Sequence, residues 1–315
     1  MLHLRIITPP ARTEEVLRLL RDTVGTAHLV VLPDAARDPA GDVLTCDVAR
    51  EAADALLDSL RTLDLGPDSA ITAENIDLSI SRRAEEAEKA APGEGADAVL
   101  WQQLADASNE DSALTLTYLA FLTLATMIAA CGVVLDNAIL VVGAMAVGPE
   151  FGPLAGISVA LVRRAPRLAL HSALALVVGF VVAAGVTVGF TLLMDAAGLF
   201  SEPLLEGKRP NTGFIYAPDT FSFVVAVLAG IAGTLSLTSS KAGLLVGVAI
   251  SVTTVPAAAN AAVALGYGDY GQMSGSLKQL GLNLLGIVLA GTVTLLAQRL
   301  FWSELRERAR RGRSA

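Results

Sequence analysis

The chain has little of what most enzymes and secreted proteins depend on. It contains only two cysteines, Cys46 and Cys131, and three histidines in 315 residues. Two cysteines provide neither a disulfide framework nor metal-ligand spacing, so both are predicted to be small buried residues. Phosphate-loop, HExxH and Ser/His/Asp patterns are missing as well. We therefore expect no enzyme activity, no ATP-driven pumping, no cofactor, no metal site and no nucleic-acid partner.

Charge is scarce in the second part of the chain. Residues 1–113 hold 10 Lys or Arg against 22 Asp or Glu, whereas residues 114–315 hold 13 against 9. Glu150 and His171 are essentially the only ionisable side chains in six apolar runs. A membrane span needs roughly 20 apolar residues, which is about the length of these runs. We predict six transmembrane helices within residues 114–302. They are Leu114–Val134, Ala138–Val162, Leu168–Met194, Phe221–Leu237, Ala242–Leu265 and Leu280–Leu300.

The acidic N-terminal segment has the pattern of a water-soluble domain. Alternation of apolar and polar residues predicts four strands, and helical spacing predicts two helices between them. The order βαββαβ over residues 1–81 predicts a ferredoxin-like sandwich, with a structural or oligomerising role favoured over ligand sensing. Residues 82–113 are predicted to form a polar linker. A helix near Trp101 in this linker either lies at the lipid headgroups or packs on protein.

The basic residues predict the orientation in the membrane. Arg163, Arg164 and Arg167 follow the second run, Lys241 precedes the fifth, and residues 303–315 form a basic tail. Because basic residues accumulate in cytoplasmic loops, we expect a multi-pass protein of the inner cell membrane with both termini in the cytoplasm. Membrane lipids are then partners, and a homo-oligomer, most simply a dimer, is expected.

The loop between the third and fourth runs, Asp195–Pro218, falls on the outer face in this topology. Its basic residues Lys208 and Arg209 are balanced by three neighbouring carboxylates, so no function is predicted for them. Asp136 and Asn137, at the turn between the first two runs, are predicted to cap a helix.

Prolines interrupt two of the six runs near their middle. Pro149 and Pro153 lie in the second run, and Pro256 lies in the fifth. Proline lacks an N–H and disfavours helix in the residue before it, so both spans are predicted to be broken. Gly143 and Gly247 precede the prolines at similar distances, which suggests a 3+3 inverted repeat; chance similarity of Gly/Ala-rich helices is the alternative. Paired broken helices are typical of transport sites at the bilayer midplane.

A carboxyl and several short polar side chains surround these breaks. Glu150 lies at membrane depth, where such groups usually mark ion or proton pathways; the alternative is a surface position that caps a helix. The polar residues near Pro256 either coordinate an ion or satisfy freed backbone groups. An asparagine in the sixth run either joins them or links two spans. The candidate binding residues are Glu150, Pro149, Pro153, Thr253, Thr254, Pro256, Asn260 and Asn283.

These two motifs resemble the bacterial and archaeal domain-of-unknown-function family 389. The matches are Val142–Met145 leading to Gly152-Pro153, and Gly247–Ile250 leading to Val255-Pro256, with Asn283 also fitting the family pattern. The resemblance covers roughly residues 114–297 and implies a polytopic membrane domain, here preceded by a cytoplasmic domain, without an established activity. Where many members carry Ser-Pro-Leu-Met-Gly-Pro, this chain has Glu150 in place of the apolar residue, so a shared substrate does not follow.

The pattern favours an ion- or proton-coupled secondary transporter or channel for a small solute, with its site between the broken helices. The alternative is a non-transporting membrane sensor or scaffold whose cytoplasmic domain binds a ligand or partner. An enzyme acting on lipid is disfavoured, because no paired catalytic groups are visible in the sequence.

Overall fold

The structure, a computed structural model, describes residues 1–76, 78–91, 99–202, 209–217, 220–238 and 254–311, with side chains described up to residue 301. It contains two compact units. One is built mainly from residues 1–102, and the other from residues 103–237 together with the described residues between 254 and 299. The two units are described separately below.

The N-terminal unit is a four-stranded antiparallel sheet with two helices. In chain order its elements are β1 (Leu2–Thr8), α1 (Thr13–Asp22), β2 (Thr26–Arg37), β3 (Ala40–Val48), α2 (Arg50–Thr62) and β4 (Ala70–Asn75). The strand order is β2-β3-β1-β4, so the two central strands are β3 and β1. The antiparallel sheet and the element order agree with the prediction, although the last strand ends at Asn75 and not at Ile80.

Alternation of side chains along β1 and β3 builds the core of this unit. Leu2, Leu4 and Ile6 of β1 point to one face, and Leu4 pairs with Cys46 of β3. Successive residues of a strand face opposite sides, so these three residues share one apolar face. Val16 of α1 is among the residues that cover the apolar face. Cys46 is buried there, as predicted.

Two helices occupy the predicted polar linker. They are α3 (Arg82–Ala90) and α4 (Trp101–Asp111). Ser81 caps α3, because its hydroxyl accepts a hydrogen bond from the N–H of Ala84. The N–H of Trp101 donates to Asp54 of α2 at 3.1 Å, and Leu104 is buried. At its start α4 therefore packs on protein, which was one of the two alternatives for this helix.

The second unit is helical. Its helices are α5 (Leu116–Val134), α6 (Ala138–Val147), α7 (Phe151–Arg163), α8 (Pro166–Ala196), α9 (Thr220–Thr238), α10 (Thr254–Tyr267) and α11 (Tyr270–Arg311, whose last part leaves this unit). Four of them, α5, α8, α9 and α11, are each long and apolar enough to cross a membrane, and α6 with α7 forms a fifth, bent candidate. The predicted fifth run, Ala242–Leu265, lies partly outside the described residues. These apolar helices indicate a membrane protein.

Short polar residues determine where these helices begin. The side-chain oxygen of Asn137 accepts hydrogen bonds from the N–H groups of Ile139 and Leu140, so Asn137 caps α6 as predicted. Asp269 accepts from the N–H of Gln272 at the start of α11. This cap explains why the last helix begins ten residues before the predicted Leu280.

Helix α10 lies in the middle of this unit. Every residue from Thr254 to Ala264 is buried, so all faces of its first three turns are covered by protein. Its neighbours are α5, α6 and α8. Six of its 14 residues are alanine, whose small side chain allows close packing of helices. Exposed apolar residues such as Val177 and Val181 of α8 point outward, as expected of a lipid-facing surface.

Candidate functional site

The second span is broken between α6 and α7. Helix α6 ends at Val147, α7 begins at Phe151, and the two axes differ by 54°. Gly148 precedes Pro149 and is extended, with φ −67° and ψ 129°, because a residue before proline is pushed out of the helical region. Pro153 lies in the first turn of α7, where its missing N–H is tolerated. The predicted break in this span is therefore present.

Glu150 lies at this break and is buried. Its residue is 4% exposed, and although it occupies the N-cap position of α7, its side chain makes no capping hydrogen bond. Instead, the hydroxyl of Thr254 on α10 donates to its Oε1 at 2.6 Å. Its Oε2 has no hydrogen-bond partner among the described residues. Of the two alternatives for Glu150, the buried one is observed and the surface cap is not.

Gly148 makes room for this carboxyl. A Cβ added at Gly148 would overlap with Oε2 of Glu150 and would lie 2.8 Å from Cγ2 of Val255. The close approach explains why glycine occupies this position. The start of α10 therefore packs directly against the break, and the segments around Pro149 and Pro256 meet although 104 residues separate Glu150 from Thr254.

Tyr118 is a further polar residue near Glu150. It lies on α5, is buried, and its hydroxyl has no hydrogen-bond partner among the described residues. Its phenol is close enough to Glu150 for the two groups to interact electrostatically. The sequence analysis missed this residue, since a tyrosine near the start of a span usually belongs to the aromatic belt at the interface.

Among the described residues, the buried carboxyl has no cationic partner. Within the described ranges, no ion pair within 4.0 Å involves Glu150. An ionised carboxyl that is neither paired nor fully hydrogen-bonded is costly in an apolar environment. Either a proton or a cation would supply the missing positive charge.

The other candidate residues do not all join Glu150. Thr253 lies outside the described residues, and Pro256 is buried in the first turn of α10. Asn260 is also buried on α10, but it comes six residues after Thr254, about 9 Å along the helix. Asn283 of α11 is buried and accepts a hydrogen bond from Gln279 of the same helix at 3.4 Å. The structure brings Glu150, Thr254 and the proline segments together, and Asn260 belongs to a second cluster.

Arg209 is the centre of this second cluster. It is 6% exposed although it lies in the loop between α8 and α9. Its Nη1 donates to Oδ1 of Asn260 at 2.8 Å, its Nη2 donates to Gln272, and its guanidinium stands 4.7 Å from the ring centre of Tyr216. The sequence analysis missed Arg209, because a basic residue in an acidic loop carries no local sign of burial.

Asp136 holds the segment that carries Arg209. Its carboxylate accepts hydrogen bonds from the N–H of Asn211 and from the hydroxyl of Thr212, the latter at 2.8 Å. Asp136 has a positive φ of 46°, a conformation that Asp tolerates better than most residues. The contact ties the turn between α5 and α6 to the loop that precedes α9.

One polar cluster lies in the N-terminal unit. Nδ1 of His3 and Nδ1 of His28 are 2.7 and 2.6 Å from the two carboxylate oxygens of Asp47. Nε2 of His28 also contacts the hydroxyl of Ser81. Burial raises the pKa of Asp47, but the hydrogen bonds from His28 and His3 outweigh it, so the pKa lies below its ordinary value. The described residues contain no group of three or more His, Cys, Asp or Glu with metal-binding geometry.

Comparison with known proteins finds a family match within the membrane unit. Residues 145–289 match the model of the family described as Domain of unknown function (DUF389). This match confirms the resemblance predicted from the two motifs. The matched segment includes Glu150, α10 and Asn283, so the described site lies within the family domain.

One relative and the solved structures complete the comparison. The chain is 25% identical over 210 residues to a protein of Methanocaldococcus jannaschii named Uncharacterized protein MJ0678. The alignment covers 66% of this chain and 61% of that protein, so the chain spans less than two thirds of the length of this relative. No solved structure gives a significant match.

Proposed function

We propose that the protein is an ion- or proton-coupled secondary transporter or channel for a small solute, with its site where α6, α7 and α10 meet. The observation that carries this proposal is the carboxyl of Glu150, which is buried at a helix break and, among the described residues, hydrogen-bonded through one of its two oxygens. Ionisable groups inside membrane segments are rare and usually belong to ion or proton pathways. Irregular backbone at such depth occurs where it is buried in protein or lines a wet cavity.

The length of α10 supports a site near the middle of the membrane. The helix has 14 residues, or about 21 Å at 1.5 Å per residue, and a turn at Gly268 and Asp269 follows it. A hydrocarbon core is about 30 Å thick. If this turn lies at the outer surface, Thr254 and Glu150 lie well inside the membrane, where a carrier site is accessible from either face in turn.

The proposal includes an architecture. The membrane unit would have six spans, with α10 as the second part of a broken fifth span, arranged as a 3+3 inverted repeat. The N-terminal unit would be a ferredoxin-like domain, for which the strand order β2-β3-β1-β4 is the support. Both termini would face the cytoplasm of the inner membrane, and the chain would form a homo-oligomer, most simply a dimer.

The test of this proposal is the substitution Glu150→Gln, which keeps the shape of the side chain and removes its ability to hold a proton or cation. The purified chain is reconstituted into liposomes loaded with a pH-sensitive dye. Proton entry is followed under a membrane potential, and uptake of labelled sodium is measured in parallel. We expect flux above that of protein-free liposomes for the wild type and at least about a tenfold loss for Glu150→Gln.

Glu110→Gln is the matched control, because Glu110 is exposed on α4. This control should keep the wild-type flux, and thermal unfolding should show that both variants are folded. A folded Glu150→Gln protein with unchanged flux would contradict the role of Glu150. Wild-type liposomes that conduct neither protons nor sodium would contradict coupled transport altogether.

That last outcome would favour the second candidate function, a non-transporting sensor or scaffold. The structure offers one observation in its favour. Strand β2 forms an edge of the sheet, and its residues Val30 and Leu32 are exposed. An exposed apolar edge strand is a common site of association with another chain.

A further inference from the structure

Arg209 is a buried cation, and the described residues that contact its guanidinium directly are all neutral. Asn260 and Gln272 supply amide oxygens to its two Nη atoms, and Tyr216 supplies the face of its ring. The Nε atom is buried and has no hydrogen-bond partner among the described residues. No carboxylate within the described part of the chain lies within 4.0 Å of the guanidinium.

The nearest acidic groups are already in use. Asp136 and Asp269 act on Arg209 only through longer-range electrostatic interaction. Asp136 accepts hydrogen bonds from Asn211 and Thr212, and Asp269 accepts one from the N–H of Gln272. A buried guanidinium without a directly paired anion is unfavourable, because charges removed from water need a partner. Among the described residues, the guanidinium therefore lacks a directly paired anion.

The chemistry of the unused donor indicates which anion fits. Nε and the adjacent Nη form a planar two-donor edge that matches two oxygens of a carboxylate or phosphate group. The first turn of α11 lies beside it, because Gln272 belongs to that turn, and a helix N-terminus adds a partial positive charge. Gln272 is only partly buried and is the contact of Arg209 that an incoming group can replace most easily.

We infer that Arg209 is the recognition residue of an oxyanion site between the loop before α9 and the helices α10 and α11. Asn260 places this site on the same helix as Thr254, about 9 Å from the contact with Glu150. Helix α10 thus contacts the buried cation Arg209 through Asn260 and the buried carboxyl of Glu150 through Thr254. That the transported solute is an oxyanion is a conclusion that rests on the proposed function. That Arg209 binds an oxyanion does not depend on the proposed function.

The experiment measures anion binding by the full chain in a non-ionic detergent. Thermal unfolding is followed while inorganic phosphate is added, and sodium chloride of equal ionic strength serves as the reference. A ligand that binds only the folded state raises Tm with its concentration. We expect phosphate to raise Tm of the wild type beyond the effect of sodium chloride. In Arg209→Gln the apparent affinity should fall by at least about tenfold, the effect of losing a charged hydrogen bond.

Two further variants make the result specific. Arg209→Lys keeps the charge without the two-donor edge and should retain part of the phosphate effect. Arg167→Gln removes an exposed arginine at the start of α8 and should behave as the wild type. No effect of either phosphate or the short-chain phosphatidylglycerol described below in the wild type, or the same effect in folded Arg209→Gln, would overturn the inference and leave Arg209 as a structural link between the loop and the two helices.

A second probe identifies the source of the oxyanion. Short-chain phosphatidylglycerol is added in place of phosphate. A rise in Tm that depends on Arg209 and occurs with the lipid alone assigns the site to a lipid headgroup. A rise in Tm with phosphate assigns it to a free solute. Glu150→Gln should keep the phosphate effect, since Glu150 and Arg209 share no described contact. Loss of flux with intact phosphate binding supports both proposals. Intact proton or sodium flux without a shift from phosphate or from the lipid rejects only the oxyanion site.

Discussion

Single polar side chains in this protein are paired across long stretches of sequence. In the N-terminal unit, Asp47 of β3 stands between His3 of β1 and His28 of β2. These contacts link the three strands β1, β2 and β3 through one carboxylate. The ionised carboxylate accepts from both rings, so the charged form of Asp47 is the one that the folded unit favours.

This pairing predicts a pH dependence. The pKa of Asp47 in the folded chain is below its ordinary value of 3.8. Its charge therefore stabilises the folded unit above about pH 4, and this contribution is lost as the pH falls through the lowered pKa. Asp47→Asn should be less stable than the wild type at pH 5, and the difference should shrink towards pH 2.5.

The rate of pepsin cleavage within residues 40–48 of the full chain measures this difference. The cleavage rate of the variant is divided by that of the wild type at each pH, so that changes in the activity of pepsin with pH cancel. Asp58→Asn, at an exposed position of α2, is the control and should give a constant ratio. A ratio for Asp47→Asn that also stays constant between pH 5 and pH 2.5 would contradict the assigned role.

At the scale of elements, the break between α6 and α7 depends on close contact as well as on proline. The prolines explain why α6 ends. The orientation of the Glu150 carboxyl depends instead on the space left by the missing side chain of Gly148 and on the hydrogen bond from the hydroxyl of Thr254. The break is therefore a packed junction of three helices. Its geometry should respond to a single methyl group.

Gly148→Ala should disturb this junction. The added Cβ overlaps with Oε2 of Glu150 and crowds Val255, so the carboxyl has to move away from Thr254. We expect destabilisation of about 1–3 kcal/mol, as for other overpacked sites, together with a loss of flux in the liposome assay.

Gly143→Ala is the matched control in α6, since no atom lies within 4 Å of the added Cβ. It should be neutral or slightly stabilising, because alanine favours helix by up to about 1 kcal/mol over glycine. Thermal unfolding of both variants in detergent measures the contrast. Equal effects of the two substitutions would show that the contact at Gly148 does not matter.

At the scale of the whole molecule, the distribution of basic residues predicts one topology. The junction of α7 and α8 carries Arg163, Arg164 and Arg167, and Glu202 and Arg209 follow the other end of α8. Helix α8 has 31 residues, about 46 Å, which is enough to separate the two loops across a bilayer. The positive-inside rule assigns the first loop to the cytoplasm.

Cysteine labelling tests this topology in cells. Cys131 is replaced by alanine, while Cys46 stays because it is buried and burial raises its pKa to about 12, which keeps the thiol unreactive. A membrane-impermeant maleimide should label Glu202→Cys in intact cells and Arg167→Cys only after permeabilisation. The reverse pattern would contradict the orientation, and labelling of both in intact cells would contradict a single topology.

Features that depend on neighbouring residues were predictable. The apolar runs, the proline break at residues 149–153 and the Asn137 cap follow from local composition and backbone chemistry. The order of elements in the N-terminal unit follows from the spacing of apolar residues. Less predictable were the lengths of individual elements, such as α11, because the Asp269 cap lies outside the apolar run that marks the span.

The pairing of distant polar groups had no local signal. Tyr118 and Arg209 look like an interfacial aromatic residue and an exposed loop cation in the sequence, yet both are buried. Glu150 was a candidate from its position between prolines, but its partner Thr254 was one of several polar residues near the second break. The packing of the helices decides which of these residues contacts Glu150. A hydrogen bond needs donor and acceptor atoms within about 3 Å, and only the arrangement of whole helices brings two distant residues that close.

The amino-acid order alone establishes that residues 114–302 are suited to a membrane, that the second span is interrupted and that a carboxyl lies at the interruption. These properties depend on transfer free energies and backbone sterics, which act over a few residues. The folded arrangement adds that this carboxyl accepts a hydrogen bond from Thr254 of α10, and that the guanidinium of Arg209, from a distant loop, contacts the same helix. Such encounters depend on how the helices pack, and packing involves side chains that are a hundred residues apart in the chain.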